Sequence, residues 1–333
     1  MIRFAIIGAG WRSEFYIRIA KALSDQLHIT GIYIRNKNTA ATFSQKYSLP
    51  IFDTLEDTLA TNPDFVVSCV NKDGICDEIR LLCEKGVAVL SETPIGTSVD
   101  QINAFINAVK PDWRVQVAEQ FHFQPRNQAI KAIIDSGILG NVHQVQLSCC
   151  HEYHAVSLIR YFLDIGETAP TVNSFSLSDP IVKYNGRGGI TSPQKTDSQQ
   201  TIALLQYGNK TAVYDFSHEQ YFSDIRATRI TVRGTKGEIV GDQCTYLNGT
   251  TPIRFTLSRN HYGSNENLDG MHLDSITGNG SILYENPFKG ARLTDEEIAI
   301  AVCLFKMKTY VDTGEEFYTV RSAATDAWTA LQF

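Results

Sequence analysis

Short solid apolar runs alternate in the first third of the chain with stretches whose apolar positions recur every three or four residues. Arg3–Ile7, Ile29–Ile34, Phe65–Cys69, Val87–Leu90 and Arg114–Ala118 read as buried strands. Phe15–Leu23, Thr39–Tyr47, Asp77–Glu84 and Val99–Val109 read as helices between them. A further short helix opens in Asp53–Asp57, where a capping residue is followed by early acids. Solid strands alternating with helices predict a doubly wound parallel sheet covered on both faces.

The rhythm changes after about residue 120. Pro125–Asp135 predicts a helix with proline in its first turn, stopped by Ser136–Gly140. Val142–Ser148, Gln200–Gln206, Lys210–Phe216 and Thr228–Val232 alternate as half-buried antiparallel strands do. His154–Phe162 is an apolar helix among them, and Thr294–Asp312 and Ala323–Leu331 read as late helices. Asp179–Ser198 mixes glycine, proline and polar residues without a period and reads as a surface loop. The expected architecture is α/β: a doubly wound domain over residues 1–121, then an α+β domain over 122–333 on a large, open, mainly antiparallel sheet.

The first strand stops at Gly8-Ala9-Gly10-Trp11-Arg12-Ser13. Gly8 permits a tight turn, and Gly10 carries no side chain to keep a pyrophosphate from the backbone N–H groups at the helix start. Ser13 stands where a third glycine would sit. This is the pattern of a Rossmann dinucleotide site. The second strand ends in Arg35, Asn36 and Lys37 rather than in a carboxylate, which favours NADP over NAD because a guanidinium suits a ribose 2′-phosphate. Trp11 and Arg12 add a flat ring and a second cation. Ligands lie beyond the carboxyl ends of such strands. That makes Asn71, the Ser91-Glu92-Thr93-Pro94 segment and the Glu119-Gln120-Phe121-His122 segment candidates for the rim around nicotinamide and substrate.

With 333 residues, 43% hydrophobic and 20% charged, the chain has material for two cores. A net charge of −6 without a basic run argues against nucleic acid. The first apolar run is too short for a signal peptide or a membrane span, so no membrane partner is expected and the cytoplasm is the default location. Seven cysteines without metal spacing read as reduced thiols. The contiguous spacing of His151, Glu152 and His154 is not that of a closed zinc site, and no metal is expected.

Several segments together make the chain resemble the Gfo/Idh/MocA oxidoreductases, the glucose-fructose oxidoreductase and inositol dehydrogenase family. They are Gly8-Ala9-Gly10, Glu84–Pro94, Phe123-Gln124-Pro125, Ile134–Val142 and the helix start from His154 to Arg160. The resemblance implies an N-terminal nucleotide domain and a C-terminal domain whose open sheet often joins two copies, so a homo-oligomer, most simply a dimer, is expected. It also implies a sugar, polyol or related small molecule as substrate. The family's E-K-P lysine, which touches the nicotinamide ribose and the reacting hydroxyl, corresponds to Thr93. Its D-x-x-x-H aspartate and histidine correspond to Cys150 and His154, its TP-N asparagine to Asn71, and its R-F-x-P arginine to His122.

Hydride transfer between a nicotinamide and a carbinol needs a proton carrier, and histidine is the side chain tuned to neutral pH. His154 is the candidate, at the start of an apolar helix, with Tyr153 and His122 beside it in the candidate catalytic set. The cofactor set is Gly8, Gly10, Trp11, Arg12, Arg35, Asn36, Asn71, Glu92 and Thr93. The leading expectation is an oxidoreductase using NADP(H) or NAD(H). Thr93 and Cys150 motivate two alternatives: a nucleotide-binding sensor or partner-binding protein, and a lyase or hydrolase that uses a retained nicotinamide for transient oxidation.

Overall fold

In a computed structural model, which describes residues 1–263 and 271–333, the run Ile2–Ile7 is strand β1, buried at every position except Arg3. Helix α1 (Trp11–Ala22) starts directly after Gly10. Then come β2 (Leu27–Tyr33), α2 (Lys37–Tyr47), β3 (Ile51–Phe52), α3 (Leu55–Ala60), β4 (Phe65–Ser68) and α4 (Ile75–Glu84). β5 (Val89–Ser91), α5 (Val99–Ala108) and β6 (Val115–Val117) complete the alternation. The six strands are parallel in the order β3-β2-β1-β4-β5-β6, so the winding reverses between β1 and β4. Ala5, Ile7, Val66, Val89 and Val117 of the sheet bury themselves against Ile79, Leu82 and Phe105 of α4 and α5. Helix starts are capped as the sequence signals: Thr54 accepts the Asp57 N–H, and Ser98 accepts that of Gln101.

A 3₁₀ turn (Gln120–Phe123) leads to α6 (Pro125–Asp135), which begins at its proline as expected. β7 (Val142–Ser148), α7 (Glu152–Leu163), β8 (Thr171–Lys183), β9 (Gln194–Tyr207) and β10 (Lys210–Ser217) follow. After a second 3₁₀ turn (His218–Tyr221) come β11 (Arg229–Gly234), β12 (Gly237–Val240), β13 (Gln243–Asn248) and β14 (Thr251–Thr256). These strands form an eight-stranded sheet, β14-β13-β12-β11-β7-β10-β9-β8, antiparallel except between β7 and β10. β15 (Ser258–His261), β16 (Leu273–Gly278) and β17 (Ser281–Glu285) make a smaller sheet, and α8 (Asp295–Thr313) and α9 (Val320–Ala330) end the chain.

The expected loop over Asp179–Ser198 is a correction. Most of it is paired strand: β8 runs on to Lys183, β9 starts at Gln194, and only residues 184–193 connect them. β8 is the sheet's edge, and beyond Ser176 every residue except Ile181 is exposed, so its outer part shows no alternation. The edge position is also what lets Pro180 sit in a strand. The stretch Tyr262–Gly270, which no periodicity fixes and whose sequence reads as a loop shaping the pocket, falls from residue 264 onward outside the described residues.

The chain forms two compact units. One comprises Met1–Gln124, His261–Asp274 and Asn286–Ala324; the other comprises Pro125–Asn260, Ser275–Glu285 and Thr325–Phe333. The seven cysteines are free thiols. No helix among the described residues is long and apolar enough to cross a membrane.

Candidate functional site

In the first unit, the ends of β1 and β4 approach each other more closely than any side chain allows. Gly8 has φ +110°, and a Cβ there would lie 2.6 Å from the carbonyl oxygen of Cys69. Only glycine takes that backbone and that proximity. Gly10 has another use: its φ of −76° suits any residue, and a Cβ there would meet nothing within 4 Å. This open space adjoins the start of α1, whose first N–H groups have no side-chain cap. A helix start without a side-chain cap, its positive end and the empty room beside it are what a pyrophosphate requires, so these residues fit a dinucleotide. Ser13, in the third glycine position, is buried and donates its hydroxyl to the Gly8 carbonyl at 3.0 Å, which ties the turn to the helix.

Arg35 is exposed just beyond the end of β2, where a ligand anion can reach it, and its charge opposes the upward shift that burial gives the Glu78 carboxyl. Asn36 instead caps α2, its Oδ1 accepting the N–H groups of Asn38 and Thr39. Asn71 accepts the Gly74 N–H at 3.0 Å and holds the turn before α4. The Trp11 ring is 46% exposed and stands edge-on to Phe15.

Arg12 points into the protein. Its Nε lies 3.1 Å from Glu92 Oε2 and its Nη1 2.7 Å from Glu296 Oε1. Tyr16 donates its hydroxyl to Glu92 Oε1 at 2.5 Å. Burial works against the Arg12 charge, but Glu92, Tyr16 and Glu296 outweigh it and hold the guanidinium firmly protonated. Burial, reinforced by Glu92, keeps the Tyr16 phenol and the Cys69 thiol neutral. Glu119 is 1% exposed, and burial pushes its carboxyl well above the usual range. The Phe121 N–H it accepts and the attraction of Arg12 oppose that shift without cancelling it. Around the Glu92-Thr93-Pro94 segment the first unit thus holds Arg12 paired with Glu92 and Glu296, and a carboxyl, Glu119, that burial biases toward its protonated form. His122, in the 3₁₀ turn after β6, packs edge-on against Tyr318 with centroids 5.1 Å apart.

In the second unit α7 opens at Glu152, two residues before the expected start, with His151 as its N-cap residue. His154, 5% exposed, sits in the first turn with its ring 4.3 Å from that of Tyr153. The helix is anchored by a buried ion pair of 2.5 Å between Arg160 and Asp326. The His151 N–H donates to Tyr221 Oη at 2.8 Å, and its ring meets Tyr221, His218 and Phe216 edge-on at 4.7, 5.6 and 5.9 Å. Glu152 stands between two imidazoles, 3.9 Å from His151 Nδ1 and 3.4 Å from His218 Nε2. Burial lowers the His151 pKa to about 4; Glu152 opposes the shift, while His154, His218 and Arg187 add to it.

The expected cofactor residues all stand at the carboxyl ends of the parallel strands or at the start of α1, and Arg12 and Glu92 touch directly. Tyr153 and His154 belong to the second unit. Sequence reading missed Tyr16, Glu296 and His218. Each reaches its partner across a long stretch of chain, and no spacing rule links them.

Residues 2–121 match the family model GFO_IDH_MocA, described as an oxidoreductase family with an NAD-binding Rossmann fold. Among curated proteins, the chain is 25% identical over 182 residues to scyllo-inositol 2-dehydrogenase (NADP(+)) IolU of Bacillus subtilis. That match covers 54% of this chain and about half (55%) of the relative's length. It is 26% identical over 266 residues to inositol 2-dehydrogenase of Rhizobium meliloti, covering 72% of this chain and 76% of that one. Among solved structures it resembles an Agrobacterium radiobacter oxidoreductase in complex with NAD+, L-tartaric acid and magnesium. The TM-score is 0.68 and the identity 15%, over 99% of this chain and 94% of that one. At that identity the likeness establishes the fold.

Proposed function

Because the chain belongs to the Gfo/Idh/MocA family of oxidoreductases, we propose that it oxidises or reduces a sugar, polyol or related hydroxyl or carbonyl compound with NADP(H) or NAD(H). The observation that carries this reading is the turn at Gly8 and Gly10: a backbone cradle at the sheet's reversal point, empty of side chains and set at an uncapped helix start. Gly8, Gly10 and the first N–H groups of α1 hold the pyrophosphate, Trp11 flanks it, and exposed Arg35 binds the 2′-phosphate, so NADP is preferred. A bound nicotinamide supplies the two-electron carrier; the chain's own residues supply orientation and the proton.

His154 moves that proton, with the adjacent Tyr153 ring fixing its orientation. Thr93 offers the carbinol oxygen a neutral hydrogen bond in place of a charge. Arg12 and Tyr16 hold Glu92, and through it the backbone that presents Thr93. Relatives acting on inositols make cyclic polyols the first substrates to try. We read the assembly as a cytoplasmic homodimer joined through the outer face of the eight-stranded sheet. On that face a register row runs Asn173, Leu204, Val213, Gln146, Thr231, Val240, with Leu204 and Val240 about half exposed.

The test is a panel of inositols, sugars and sugar acids with each cofactor, following reduced-nicotinamide absorbance, with cofactor binding measured in parallel by calorimetry. Turnover of at least one polyol, with tighter NADP than NAD binding, is expected. Tight cofactor binding with no turnover across the panel would instead favour a nucleotide-sensing role. Product formed without net change in the nicotinamide would favour a lyase or hydrolase.

A further inference from the structure

We propose that His151, Glu152 and His218 form a binding site for a divalent transition-metal ion, with Zn2+ as the natural fit. Each residue offers one ligand atom, and the three atoms lie within 4.8 Å of one another. The Glu152 Oε1 to His218 Nε2 distance of 3.4 Å already matches the separation of two ligands on a tetrahedral ion bound at roughly 2.0–2.1 Å. His151 Nδ1, 3.9 Å from Glu152 Oε2, needs only a small side-chain adjustment to join them. Two imidazoles and one carboxylate are the donor set of open, three-ligand sites, which leave positions for water or a substrate oxygen.

The supports of these side chains are built into the fold. The His151 backbone is fixed by Tyr221, and its ring is wedged among Phe216, His218 and Tyr221. Glu152 is the first residue of α7. His218 leads the 3₁₀ turn after β10, and that turn is closed by a capping box between Ser217 and Gln220. Gln220 is itself buried and donates to the Ser148 carbonyl at 2.9 Å, which joins the turn to the end of β7, three residues before His151. Two segments 66 residues apart are thus locked into one pocket. The positive end of the α7 dipole opposes a cation, but that effect is confined to the helix end and small beside three coordinating ligands.

His154 follows on the same helix turn.

The experiment uses the full chain, stripped by chelation and free of nucleotide and substrate, titrated with Zn2+ by calorimetry and with Co2+ by visible absorption. One equivalent is expected to bind, with Co2+ bands typical of nitrogen and oxygen ligands. Affinity should fall at least about tenfold in His218→Ala and in Glu152→Gln, and stay unchanged in His143→Ala, an exposed histidine on β7. His218 is half exposed and Glu152→Gln preserves shape, so both variants are expected to fold, which circular dichroism checks. Absence of stoichiometric binding, or equal affinity in all variants, overturns the proposal. Because no cofactor enters this assay, its failure leaves the oxidoreductase reading standing, and failure of the polyol screen leaves the metal site standing.

Discussion

Arg12→Met removes the cation between Glu92 and Glu296 and keeps most of the apolar stem. The Arg12 and Glu92 side chains are 11% and 7% exposed, so water screens their attraction little. Removing one partner of a buried pair leaves the other uncompensated, at a cost of about 3–5 kcal/mol. Glu296 is 39% exposed and adds little to this sum. Tyr16 still donates to Glu92 in the variant, which sets the expectation at the lower end of that range. The assay is urea unfolding of four proteins: wild type, Arg12→Met, Glu92→Gln and the double variant. Because the charge left behind causes the damage, the double variant should lose less than the sum of the singles, by about 1.5 kcal/mol or more. Additive losses would show that Arg12 stabilises by packing and would refute the ion pair as what holds the Glu92-Thr93-Pro94 segment.

The two glycines of the turn should separate under substitution. Gly8→Ala puts a Cβ 2.6 Å from the Cys69 carbonyl at φ +110° and should destabilise by about 3 kcal/mol, whereas Gly10→Val meets open space and should keep its melting temperature while losing cofactor affinity at least about tenfold by calorimetry. Arg35→Ala should weaken NADP binding by about 2 kcal/mol and leave NAD binding nearly unchanged; equal losses would show that Arg35 does not read the phosphate. Glu119 binds a proton more tightly folded than unfolded, so its contribution is fully present below the unfolded carboxyl pKa of about 4.3 and is lost as pH rises toward the folded value. Glu119→Gln should therefore gain stability relative to wild type as pH rises above that point, and a difference constant from pH 4 to 7 would contradict the upward shift of the Glu119 carboxyl.

Much of the first unit was legible because its strands are buried on both faces and its helices carry local start signals at Thr54, Ser98 and Thr294. Gly8 and Gly10 were equally readable, since the turn constrains residue type within three positions. The edge hairpin of β8 and β9 was not. Apart from Ile181 and Ser198 its outer part is largely exposed, so pairing makes it a strand and no hydrophobic period records it. The strands from β12 onward went unread although Gly241 and Gly249, both at positive φ, mark their turns. Arg12 shows the limit at the site. Its place after the glycine turn suggested a nucleotide contact, but its partners Glu92 and Glu296 lie 80 and 284 residues away, and only folding reveals that its charge is spent inside the protein. His218 joins His151 through the sheet for the same reason.

In the proposed function, nicotinamide redox chemistry depends on His154 to move the proton. The most direct measurement is steady-state turnover of the best polyol from the panel by wild type and His154→Ala, with cofactor affinity measured on the same samples. The account predicts a fall in kcat of about 100-fold or more with cofactor Kd unchanged. Turnover preserved in His154→Ala, or none in wild-type protein with bound cofactor, would contradict it.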